Sequence, residues 1–193
     1  LPDDSQVYLN AASDLTFNKG KWDQKRSVRL RGEAFFQVTS GQSFTVETVR
    51  GSVQVLGTSF NILQRGARFQ VECREGRVEV SALQSASVIL TAGQAVRLQE
   101  GILERYDVGD TNSLPGWING VFRFDNQPME IVFAELERQF DVDIQFSDEI
   151  GAIPFTGGGF ESKDLNDALY DITWPMGLSY SISNETVVIT QDE

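Results

Sequence analysis

The sequence predicts an all-β domain, solenoid-like or sandwich, over residues 1–106, then a linker at 107–116 and a small α+β domain of βαβ repeats over 117–193. Three observations predict it. Short β-branched or aromatic runs recur between glycines up to residue 106. Loop-forming residues cluster in "YDVGDTNSLPGW". Beyond that cluster the apolar spacing becomes helical.

In the first part the runs are "SVRL", "AFFQV", "SFTVET", "SVQVL", "SFNIL", "RFQVEC", "RVEV", "SVIL" and "AVRL", punctuated by glycines from Gly32 to Gly101. From Phe44 to Leu98 the apolar pairs are Phe44/Val46, Val53/Val55, Phe60/Ile62, Phe69/Val71, Val78/Val80, Val88/Leu90 and Val96/Leu98. Regular short strands with frequent turns suit a sandwich, a barrel or a stack of repeats.

In the second part "GVFRFDN" reads as a strand. Pro128 suits the first turn of a helix, with Val132, Leu136 and Phe140 on one stripe widened by Ile131 and Phe133. "VDIQFS" alternates as a strand, and "IPFTGGGFES" is extended. Ser162 or Asp164 caps a second helix with Leu165, Ala168, Leu169 and Ile172 inward, stopped by Pro175 and Gly177. "LSYSIS" and "TVVIT" flank a turn at Asn184-Glu185. The two halves repeat at an offset of about 34–36 residues, which sets Leu136 and Phe140 against Tyr170 and Trp174.

Composition narrows the chemistry. The 193 residues are 40% apolar, with 13 phenylalanines, which is a folded composition. The net charge of −12 opposes nucleic acid and anionic membrane surfaces. With no histidine, the commonest general base and zinc ligand are missing, as is every Ser-His or Cys-His pair. The lone Cys73 permits neither an intrachain disulfide nor a thiolate zinc cage. It is in phase with Phe69 and Val71 and reads as a buried filler. No run is long and apolar enough for a transmembrane helix. The opening "LPDDSQVYLN", without an initiator Met, reads as a mature form or an excised soluble part. No catalytic, cofactor or metal residue is predicted.

Individual motifs support that reading. "VLGTSFNI", Val55 to Ile62, lacks the second glycine of a nucleophile elbow. Gly57 there permits a bend, and Thr58, Ser59 and Asn61 satisfy backbone groups or face solvent. "TGGGF" lacks the Lys-Ser/Thr of a phosphate loop and reads as a flexible turn entering a strand. Asp141 and Asp143 are spaced as in a calcium loop, but Gln145 and the missing turn glycine break the pattern. Paired carboxylates for glycoside chemistry carry little weight among 28 acids. The three tryptophans form no cluster in sequence.

The runs "LPDDSQVYLNAASDLTF", "RSVRLRGEAFFQV", "FTVET", "VQVLGTSFNI", "EGRVEV" and "LTAGQAV" resemble the periplasmic part of FecR-type anti-sigma regulators. "WINGVFRFDNQPMEIVFAELERQFDVDIQF…FTGGGFESKDLNDALYDI" resembles the C-terminal domain of the Bacteroidetes members, which is similar to the small secretin/TonB short N-terminal domain. Asp4 stands where the family usually has glycine in an "LPDGS" turn. The resemblance implies a periplasmic sensor without enzyme activity or cofactor. It would be joined through a transmembrane helix to a cytoplasmic sigma-binding segment, both absent from these residues. It would receive the signalling domain of a TonB-dependent outer-membrane receptor. The expected docking edges are Val121, Phe122, Arg123 and Phe124, and Val187, Val188, Ile189 and Thr190 in the last strand. A glycan-binding module of the periplasm or surface is the alternative, and a β-helical glycosidase a third reading.

Overall fold

One long strand organises the first part of the chain. In the computed structural model, which describes residues 1–83, 85–109, 111, 113–161 and 164–191, "SVRL" and "AFFQV" are a single strand, β3 (Arg26–Gln37). The preceding β1 (Gln6–Leu9) pairs with its second half and β2 (Asp14–Phe17) with its first. Gly32 sits between the two halves at φ +101, where a Cβ would lie 2.3 Å from Ser13 Oγ. The glycine read as a strand break is therefore the bend within a strand.

The remaining strands of this unit are β4 (Phe44–Glu47), β5 (Gly51–Val55), β6 (Ser59–Arg65), β7 (Arg68–Glu75), β8 (Arg77–Ala82), β9 (Val88–Thr91), β10 (Gln94–Gln99) and β11 (Ile102–Asp107). They run in the order β11-β10-β7-β6-β3-β4-β5-β8-β9. Among the described residues of this unit, only β3 and β4 pair in parallel. The two ends of this path approach each other. Arg105 Nη2 in β11 donates to the Ile89 carbonyl in β9 at 3.0 Å, and Leu103 N donates to Ser85 Oγ at 3.2 Å. The sheet thus rolls toward a barrel instead of stacking as repeats.

The alternating pattern explains what fills it. Phe44, Val46, Val53, Val55, Phe60, Ile62, Phe69, Val71, Val78, Val80, Leu90 and Val96 are all buried in one cluster. Trp22, Phe44, Phe36 and Phe60 form a run of ring contacts through it, the last two stacked at 5.0 Å. Each large aromatic side chain buried this way contributes roughly 2–3 kcal/mol against exposure.

The chain divides into Leu1–Pro115 and Gly116–Glu193. In the second unit β12 (Val121–Pro128), α1 (Met129–Phe140), β13 (Asp143–Gln145), α2 (Asp148–Gly151), β14 (Pro154–Glu161), α3 (Leu165–Thr173), β15 (Leu178–Ser183) and β16 (Thr186–Gln191) follow in order. Pro128 is the residue before α1, not its first turn, and Met129 N donates to the Ile153 carbonyl at 2.9 Å. Asp164 caps α3, its carboxylate accepting from Asn166 N at 2.8 Å and Asp167 N at 3.4 Å. Ser162, the other cap considered, lies outside the described residues. "TGGGF" lies within β14, not in a turn before it. Gly158 there, at φ +107, faces β12 so closely that a Cβ would meet the Phe122 carbonyl at 2.2 Å.

Met129, Val132, Phe133 and Leu136 of α1 and Ala168, Leu169 and Ile172 of α3 share one core with Ile144, Phe155, Leu178, Val187 and Ile189. The buried positions of the two helices superpose at an offset of 36, so Leu136 corresponds to Ile172. Tyr170 and Trp174, expected as its counterparts, are on the outer surface. No helix among the described residues is long and apolar enough to cross a membrane.

Candidate functional site

The turn at "VLGTSFNI" is structural. A Cβ on Gly57 would lie 2.4 Å from Ser40 Oγ and 2.7 Å from Ser40 Cα, so packing of the neighbouring segment requires glycine here. Thr58 exchanges backbone hydrogen bonds with Val38, and its Oγ1 donates to the Arg77 carbonyl at 3.0 Å. Asn61 departs from expectation. It is buried, and its Nδ2 donates to Glu33 Oε1 at 2.8 Å while Asn10 Nδ2 donates to Glu33 Oε2 at 2.8 Å. A buried carboxylate held by two amides ties the β1–β2 connection, β3 and β6 together.

A second cluster fixes the start of the chain. The Arg26 guanidinium, 8% exposed, donates to Asp3 Oδ2 from Nε at 2.7 Å and from Nη2, and to the Thr39 carbonyl at 3.0 Å. Burial alone would push the Asp3 carboxyl up, but hydrogen bonds from Arg26 and Ser5 hold it below its ordinary value. Between them, Asp4 adopts φ 64.

Other candidates do not converge on chemistry. Cys73 is fully buried, its thiol pushed up to about 11 by that burial. Asp141 ends α1 in the left-handed region, and Asp143 lies on β13, accepting from Gln145 Nε2. Among the described residues no three His, Cys, Asp or Glu side chains cluster as a metal site. Trp22 is in the core. A groove of about 310 Å³ near Thr58, and one of about 280 Å³ between Leu56 and Ile89, have no aromatic lining. A third groove, of about 710 Å³, has Phe17 beside Lys19, Lys21, Lys25 and Arg29. Lys25 reaches Glu47 there at 3.1 Å and, with that hydrogen bond leading, holds its carboxyl below the ordinary value.

The two expected edges fare differently. β12 pairs on one side with β14, and no strand among the described residues lies on its other side. Val121, Phe122, Arg123 and Phe124 therefore lie on an edge strand, with Gly116 packed against the Val121 carbonyl. β16 is central, with β15 on one side and the parallel β13 on the other, which pairs Asp143, Ile144 and Gln145 with Thr186, Val187 and Val188. Val187 and Ile189 point into the core, and Val188 and Thr190 face outward. The last strand is not an open edge at Val187 and Val188 because β13, remote in sequence, inserts beside them, whereas its register ends before Ile189 and Thr190. Asp192, whose charge would protect an edge at the end of this strand, lies outside the described residues.

Charge is divided unevenly between the units. Residues 1–115 hold 13 Lys/Arg and 13 Asp/Glu, and residues 116–193 hold 3 and 15, so the whole net charge of −12 belongs to the second unit.

Comparison with known proteins agrees with this layout. The family model described as "FecR protein" matches residues 1–79, and that described as "FecR, C-terminal" matches residues 121–189. Two crystal structures, at 1.65 and 2.50 Å resolution, of a protein assigned as an anti-sigma factor from Parabacteroides distasonis ATCC 8503 are similar throughout. Each is 26% identical with a TM-score of 0.88, and covers 100% of this chain and 93% or 92% of its own. No curated protein matches the chain. Two family matches in order, spanning well over half the residues, and a fold shared from end to end show that the chain belongs to the FecR family of regulators.

Proposed function

We propose that these residues are the periplasmic sensor of a single-pass inner-membrane anti-sigma regulator. It relays a signal from a TonB-dependent outer-membrane receptor to an extracytoplasmic-function sigma factor. The family membership and the end-to-end likeness to an anti-sigma factor carry the regulator role. Sigma binding and membrane anchoring then belong to segments outside these 193 residues, and the sensor itself needs neither enzyme activity nor cofactor. The second unit, of the secretin/TonB short N-terminal kind, receives the receptor's signalling domain.

The edge position of β12 supports docking there, because a strand with a neighbour on one side only can accept a partner strand on the other. Register shifts between Phe122 and Arg123 and between Phe124 and Gln127, with Arg123 and Asp125 exposed, are features of a protected edge. Strand addition is thereby limited to the regular stretch at Arg123 and Phe124. Their N–H groups point to opposite edges. Of Arg123→Pro and Phe124→Pro in the intact chain, the one that removes the outward donor should weaken calorimetric binding of the signalling domain about tenfold, with circular dichroism unchanged. Unaltered affinity in both would exclude this edge.

A further inference from the structure

The outer face of α3 carries aromatic surface that neither the core nor the β12 edge uses. Ala168, Leu169 and Ile172 point inward, while Tyr170 and Trp174, one turn apart, point outward at 53% and 70% exposure. Their rings stack at 6.1 Å with planes 24° apart, so each rigidifies the other while much ring surface remains in water. Asp167 and Asp171 are exposed on the same helix face. Residues 164–191 contain no lysine or arginine, so no neighbouring cation in that stretch answers these carboxylates or covers the rings.

We propose that this face docks a segment of a partner protein that carries arginine or lysine. A guanidinium or ammonium group would lie over the Trp174 or Tyr170 ring, with Asp167 and Asp171 beside it. Rings attract a cation at their faces, and arginine also stacks on them. An exposed rigid tryptophan and tyrosine supply the anchoring area typical of binding hot spots. The charge of −12 on this unit repels acidic partners and nucleic acid and draws in a basic one. The inference holds whether or not β12 accepts a strand.

The test uses the intact chain and a synthetic (Arg-Gly)4 peptide, followed by calorimetry and by the fluorescence of the exposed Trp174. Saturable one-to-one binding that weakens with salt is expected, with none for (Glu-Gly)4. Tyr170→Ala with Trp174→Ala should lower affinity at least about tenfold. Trp174→Gln alone should lower it by a similar direction and smaller factor, with circular dichroism unchanged for both variants. Glu130→Gln with Asp148→Asn, two acids on α1 and α2, should change it less than about twofold. Equal losses in the two sets would reduce the effect to diffuse charge attraction and overturn the proposal, as would absence of saturable binding. Sedimentation showing a dimer of this chain that the aromatic variants dissociate would overturn it as well. The occupant would then be a second copy, with the groove around Lys19, Lys21, Lys25 and Arg29 as the source of cations.

Discussion

Asp4 shows how a single sequence departure acquires a physical meaning. Its φ of 64 is the left-handed conformation that glycine adopts without a Cβ penalty and that Asp tolerates better than most residues. Asp4→Gly should therefore raise stability by about 0.5–1 kcal/mol, read as an increase in the urea midpoint at constant slope. Glu33 is the opposite case, a residue the fold needs for its two accepting oxygens. Glu33→Gln replaces one accepting oxygen with an amide nitrogen that faces another amide donor, from Asn10 or Asn61. A loss of about 2 kcal/mol is expected in the same measurement, and an unchanged midpoint would show the network to be incidental. Gly57 and Cys73 were legible in the sequence, one from its motif and one from its strand phase. The role of Asn61 was not, because its partner lies 28 residues away and a polar residue in a strand gives no local sign of burial.

Among the elements, strands with a buried face were the readable ones. β1 and β2 escaped notice because each is only four residues long and largely exposed, so the alternation of Val7 with Leu9 and of Leu15 with Phe17 is too short to stand out. The four-residue α2 was hidden for the related reason that its signal is only the Ser147 cap, accepting from Ile150 N at 3.4 Å. The mis-phased repeat has a similar source. Aromatic residues at Tyr170 and Trp174 look like core, and only the observed offset of 36 separates them from Ala168, Leu169 and Ile172. The edge assigned to β16 is covered at Val187 and Val188 because a hairpin's pairing is local, whereas its parallel neighbour β13 is not. The first strand gives a test at this scale. Asp3, whose carboxyl is held low mainly by Arg26 and Ser5 against the opposing effect of burial, pins the segment before β1. A depressed folded value means that its contribution is present above about pH 4 and is lost as the pH falls through the folded value. Thermal melts should therefore decline more steeply below about pH 4 in the parent chain than in Asp3→Asn. Parallel declines would remove Asp3 from the acid response.

At the scale of the whole molecule, the total charge of −12 concealed its own distribution. A neutral β unit precedes a unit that carries all of it, although only the sum is evident on first reading. On the proposed function, the acidic second unit is the one expected to meet the partner. The most direct test is hydrogen exchange of the intact chain with and without the cognate receptor's signalling domain. The account predicts slowed exchange within residues 116–193, strongest around Arg123 and Phe124, and unchanged exchange across β3 and β6. Protection confined to residues 1–115, with the second unit unaffected in a saturated complex, would contradict it.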